Sequence, residues 1–165
     1  MNDNYAVING KRIELTDEQV KALGIERKNP FERANPDADD KYYYIRASGD
    51  VADYHDVNDN GDRLLYEASN YFNDEQFAKQ VALHQLLYRK LLKFAYDNEC
   101  EDTAEWNGTN KHWIIRWSCD TGNFIILNVY CYKGQEVYFS SDEAAKRAGR
   151  EVVEPFMKEH PDFVW

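Results

Sequence analysis

The chain has 165 residues, 30 acidic against 20 basic for a net charge of −10, with 43% apolar and 15% aromatic residues. That is enough chain and apolar surface for one domain with a small appendage, and the aromatic content excludes a disordered polymer. The acidity opposes direct binding of nucleic acid and suits a meeting with a basic surface on another protein.

Residues 1–29 read as a hairpin followed by a short helix. Asn9-Gly10 is a strong two-residue turn signal. It sets Ile8 opposite Lys11, Ala6 opposite Ile13 and Asn4 opposite Leu15. Thr16 with Gln19 forms a capping box, Val20 and Leu23 point back to the hairpin, and Gly24 ends the helix. Residues 26–40 carry Pro30, Pro36 and several acids and read as an irregular wrap anchored by Phe31. From residue 30 to 165 the chain reads as one main α+β domain.

Residues 41–51 read as a strand ending in a Ser48-Gly49-Asp50 turn. A polar stretch follows, then a second strand over 64–72. Asn73 caps a long helix of about 25 residues, roughly 37 Å, which makes it the spine of the fold. Residues 97–110 are a polar, acidic loop. Strands follow at 112–118, 124–132 and 136–139. Ser140 with Glu143 starts a final helix that Pro155 kinks, and the aromatic tail PDFVW docks on the core. The expected fold class is α+β: an antiparallel sheet on one long central helix and a C-terminal helix, with an N-terminal hairpin-helix unit.

Two stretches repeat. YFNDEQFAKQ (71–80) aligns with YFSSDEAAKR (138–147) at an offset of 67, and IRASGD (45–50) with IRWSCD (115–120) at an offset of 70. The main domain is therefore expected to contain two weakly similar halves, each of strands followed by a capped helix.

The segment DVNDNGDRLLYE (56–67) matches the calcium-loop pattern D-x-[DN]-x-[DN]-G-x5-E. Asp56, Asn58, Asn60, Asp62 and Glu67 are the candidate metal ligands. An EF-hand needs a helix on each side, whereas both flanks here read as strands. The preferred reading is an acidic connection between strands, with calcium binding as an alternative. Cys100, Cys119 and Cys131 with the four histidines show no zinc spacing, and no cofactor is expected. An odd cysteine count without a signal peptide suggests a reducing cytoplasm. No apolar run approaches ~20 residues, so no membrane association is expected. No catalytic motif is present, and the reading is non-enzymatic.

Acid is concentrated in two places. Residues 36–62 hold eight aspartates against Lys41 and Arg46, and residues 97–105 hold five acids and no base. If these loops meet, Asp37, Asp39, Asp40, Asp50, Asp53, Asp56, Asp59, Asp62, Glu99, Glu101, Asp102 and Glu105 form a negative surface interleaved with Tyr54 and Trp106. Such a surface suits a protein partner.

The segments VINGKRIELTDEQVKALG, KYYYI, NYFNDEQFAKQVALHQLLYRKLLKFAYDNE, KHWIIRW, VYFSSDEAAKRA and PFMKEHPDFVW together resemble a group of small accessory proteins of phages, prophages and other mobile elements of Gram-positive gut bacteria. The resemblance spans essentially the whole chain and implies no catalytic residues. It implies an inhibitor of a host defence nuclease, such as an anti-CRISPR protein blocking a Cas nuclease. Such an inhibitor would act by stoichiometric binding to a basic nucleic-acid-binding host protein in the bacterial cytoplasm. A phage structural or regulatory adaptor is the alternative.

Overall fold

The computed structural model describes residues 5–8, 11–23, 29–34 and 40–165. Strands β1 (Tyr5–Ile8) and β2 (Lys11–Glu14) pair antiparallel, with Ala6 opposite Ile13 and Ile8 opposite Lys11, as the turn signal requires. Helix α1 (Asp17–Ala22) follows. The Thr16 backbone N–H donates to Gln19 Oε1 and the Gln19 N–H to Thr16 Oγ1, a reciprocal capping box. Leu23 is exposed. The Asn9-Gly10 turn, Asn4 and Gly24 lie outside the described residues, as do Asp37 and Asp39 of the acidic wrap.

The rest is α+β. Strands β3 (Lys41–Ile45) and β4 (Val51–His55) make one antiparallel hairpin, and β5 (His112–Ser118) and β6 (Asn123–Val129) another. Helix α2 (Asn60–Glu67) lies between the first hairpin and the long helix α3 (Glu75–Asp97). Helix α4 (Asp142–Ala148) runs through a wide π-helical turn at Gly149–Val153 into α5 (Glu154–Glu159), whose first turn holds Pro155. A side chain at Gly149 would have its Cβ 2.3 Å from the Phe124 ring, so glycine lets the helix lie directly on β6. Leu87, Leu91, Phe94 and Ala95 of α3 meet Ile115, Val137, Phe139, Ala145, Ala148, Val153, Phe156 and Phe163 in the main core.

Three expected elements differ. Residues 64–72 are not a strand. Asp59 accepts from the Asp62 N–H at 2.9 Å while Asp62 accepts from the Asp59 N–H at 3.0 Å, and this capping box starts α2 inside the supposed polar connection. The partner of β3 is instead β4, directly after the Gly49 turn. Residues 136–138 are also not a strand: only Phe139 bridges, to Trp113 on one side and Glu101 on the other. The long helix is capped by Asp74 rather than Asn73.

The same backbone arrangement occurs twice. Phe72 exchanges both hydrogen bonds with Tyr43, at 2.7 and 2.8 Å, and Phe139 does so with Trp113, at 3.3 and 2.9 Å. The Asn73 N–H donates to the Pro30 carbonyl and the Ser140 N–H to the Cys100 carbonyl. The N-caps Asp74 and Ser141 follow, Ser141 in place of the expected Ser140 because it is the Ser141 hydroxyl that accepts from the Ala144 N–H. The offsets are 139 − 72 = 140 − 73 = 141 − 74 = 67 and 113 − 43 = 100 − 30 = 70, the two values found in the sequence. One difference between the copies falls at the strand edge. In the first, the carboxamide of Asn70 stands in for another strand residue: the Ile45 N–H donates to its Oδ1 and its Nδ2 donates to the Ile45 carbonyl, both at 2.8 Å. At the corresponding place in the second, 70 + 67 = 137, stands Val137.

Asn70→Ala leaves the half-buried Ile45 groups unpaired, and a loss of about 1–3 kcal/mol in urea unfolding is expected. An unchanged midpoint contradicts the strand-mimic role of Asn70.

Candidate functional site

The acidic residues fall into groups with different duties. Asp56 is buried beside the half-buried Arg33. Arg33 donates from Nε to Asp56 Oδ2 at 2.7 Å and from Nη2 to Oδ1 at 3.1 Å, and also from Nη2 to Asn58 Oδ1 at 3.1 Å. Tyr71 donates to Asp56 Oδ2 at 2.9 Å and accepts from the Ala34 N–H at 3.0 Å. The Asn58 N–H adds a bond to Oδ1 at 2.8 Å. Tyr42 stacks on Tyr71 at 4.1 Å and donates to the buried Asp62 at 2.8 Å, which also accepts from the Val57 N–H.

This network ties the wrap, the first hairpin and the start of α2 together. The Arg33 hydrogen bond is the main reason the Asp56 carboxyl titrates below its ordinary value; burial opposes it, and Asn58 and Tyr71 reinforce it. Burial pushes the Tyr71 phenol up to about 12 and raises that of Tyr42 as well, where the hydrogen bond to Asp62 adds to the effect.

These bonds bear directly on the calcium pattern. A guanidinium occupies Asp56 and Asn58, where the pattern would place the first ligands, and Asp62 is filled by a phenol and backbone N–H donors. Asn60 and Glu67 are exposed on α2, away from the Asp56 cluster's interior. Among the described residues no group of three or more His, Cys, Asp or Glu side chains is arranged to hold a metal ion.

A second cluster forms at the start of β5. His112 Nδ1 lies 2.6 Å from Asp102 Oδ2, with both side chains buried. The Trp106 ring stacks on the imidazole at 3.6 Å and 3°, and Tyr138 meets Trp106 edge-on. His112 Nε2 and Glu101 Oε2 are buried without a protein partner. Cys119 is exposed in the β5–β6 turn, at the opposite end of the strand from His112, so these two do not form a thiol-imidazole pair.

Among the described residues, the acids of the expected surface therefore do not form a single face. Asp56, Asp62 and Asp102 are interior ties, Asp53 pairs with Lys41 at 2.8 Å, and Asp50 pairs with Arg46 and Ser48. Asp59 caps α2. The Asp56 cluster is fixed to Tyr71 just before α3, whereas Glu99, Glu101 and Glu105 follow its far end, 23 residues or about 35 Å along the helix. Of the acidic set, Asp40, Glu99 and Glu105 are exposed with no side-chain partner among the described residues, and Tyr54 is exposed beside β3.

Two features of α3 are not visible in its helical periodicity. Ala78, Ala82, Leu87, Leu91, Phe94 and Ala95 point inward. Tyr88, Leu92 and Tyr96, spaced four apart, are exposed at 43%, 38% and 63%. Beside this stripe lies a groove of about 470 Å³ between α3, the Ile115–Trp117 stretch of β5 and the aromatic tail. Gln80 pins that tail, accepting from the Val164 N–H and donating to the Asp162 carbonyl.

No protein-family model, curated protein or solved structure matches the chain.

A pH profile, an Arg33 variant and a calcium titration check the Asp56 cluster. The depressed carboxyl of Asp56 contributes stability that is full above its unfolded value of 3.8 and is lost as pH falls below it. The raised phenol of Tyr71 contributes stability that is full below its unfolded value of 10.0 and is lost as pH climbs toward about 12. Urea midpoints are expected to fall at both ends, with a shallower acid limb in Asp56→Asn and a shallower alkaline limb in Tyr71→Phe. Arg33→Ala, which strands a buried carboxylate, is expected to cost roughly 3 kcal/mol at pH 7. Calcium added to millimolar concentration is expected to give no heat in titration calorimetry, and a saturable isotherm contradicts the assignment of Asp56 to Arg33.

Proposed function

We propose that this protein is a non-enzymatic accessory factor that acts by stoichiometric binding to a partner protein. The observation that carries the reading is the exposed Tyr88-Leu92-Tyr96 stripe along α3. Three large apolar side chains in register on one helix face suit a protein interface. The converging ionisable groups, in contrast, are spent on holding the fold.

The partner we propose is a basic nucleic-acid-binding protein, a host defence nuclease of the CRISPR type. The net charge of −10 and the resemblance to mobile-element accessory proteins support this. The negative ends contributed by Glu99 and Glu105, close after Tyr96, would speed the encounter with a basic channel more than they deepen the affinity.

Capture of a tagged copy's partner from host lysate containing the CRISPR effector tests this. A nuclease is expected to be retained at low salt, to elute as salt rises, and to be lost from a Tyr88→Ala/Tyr96→Ala double variant. Retention of phage proteins alone points to the adaptor role, and retention independent of salt contradicts the electrostatic encounter.

A further inference from the structure

The repeat exposes a vacancy in the second half. In both copies the outer edge of the first hairpin strand is paired once, Tyr43 by Phe72 and Trp113 by Phe139. Antiparallel pairing alternates, so the next outward-facing groups belong to Ile45 in one copy and Ile115, then Trp117, in the other. Asn70 closes the edge at Ile45. Val137 has no side-chain donor or acceptor with which to close it at Ile115. Among the described residues nothing pairs with the backbone of Ile115 or Trp117 outside β6.

The loop that might zip onto this edge is closed on itself. The Gly134 N–H donates to the Tyr138 hydroxyl, which donates to Glu136 at 3.0 Å, and Glu136 pairs with Arg116. The groove runs along the open edge. Leu87, Tyr88 and Leu91 line one wall, and Phe163 and Trp165 another.

We propose that the β5 edge at Ile115 and Trp117 accepts an extended segment of a partner protein as an added strand. Its backbone would pair with those two residues and alternate apolar side chains would enter the groove. Native strand edges are ordinarily blunted or covered. This one carries no proline, and it faces the apolar groove rather than bulk solvent, with Ile115 buried in the core and Trp165 stacked on Trp117. The net charge of −10 selects the occupant: two copies of this chain repel, whereas a segment with basic flanks is attracted. The inference rests on the protein-binding reading above, but it does not require the partner to be a nuclease.

Selection of a displayed library of random 12-residue peptides against the full chain tests it. Enriched peptides are expected to alternate apolar residues, to carry Lys or Arg at their ends, and to shift the amide NMR signals of Ile115 and Trp117. N-methylation of alternate peptide amides is expected to weaken binding at least tenfold, as is Trp117→Pro, which removes an outward N–H and no β5–β6 bond. The peptide modification keeps the test valid should that variant misfold. No enrichment, binding indifferent to N-methylation, shifts mapping away from β5, or a dimer occupying the edge each overturns the proposal. If the double tyrosine variant loses its captured partner while no peptide binds β5, the strand site alone is wrong. If peptides bind β5 but no partner depends on the α3 stripe, the stripe reading is wrong.

Discussion

One residue in each half closes the fold. Phe139 is buried, pairs its backbone with Trp113, and bridges to Glu101 on its other side. It is the point at which the second hairpin, the segment after α3 and the start of α4 become one unit. Phe72 performs the same duty for β3 and α3, and sits two residues before the Asp74 cap. Both bridging residues are phenylalanine for the same reason. Their backbone must pair with a strand while their side chain fills the space between hairpin and helix, which a small or polar residue cannot do.

That arrangement leaves a polar problem in the first half, solved by charge rather than by apolar packing. The Asp56 carboxylate is buried where the wrap, β4 and Tyr71 converge, and a buried carboxylate is tolerated only when its lone pairs are filled. Arg33, Tyr71 and Asn58 fill them. The second half has a buried His112–Asp102 pair under Trp106 in a comparable position relative to its own hairpin. The two halves share a backbone plan and differ in the chemistry that seals it. The unsealed edge at Ile115 is the largest such difference.

Much of the fold was legible in the sequence. The β1–β2 register is the one that the Asn9-Gly10 signal implies. The polar residues before α3 and α4 mark both helix starts, although the caps are Asp74 and Ser141, one residue after those expected. The 67- and 70-residue offsets correspond to paired backbone contacts. Helix α2 was hidden because its Asp59/Asp62 capping box lies inside a calcium-like pattern, where the same aspartates suggest ligands. The end of α2 was hidden because Ser69 takes the left-handed position after it, at φ 54°, where glycine is the usual signal. The candidate site was less legible. Acid counts do not reveal which carboxylates are buried: Asp56, Asp62 and Asp102 read as surface charges, and their partners Arg33, Tyr42 and His112 come from distant segments. The open β5 edge is defined by what Val137 lacks relative to Asn70, which appears only when the two halves are superposed in space.

The most direct test is residue-resolved amide hydrogen exchange of the free protein along β3 and β5. The amides of Tyr43, Ile45 and Trp113 are predicted to be protected, and those of Ile115 and Trp117 to exchange much faster. Equal protection of Ile115 and Trp117 in the free chain would mean that the edge is already sealed, and would contradict the account of the second half as a site waiting for a strand.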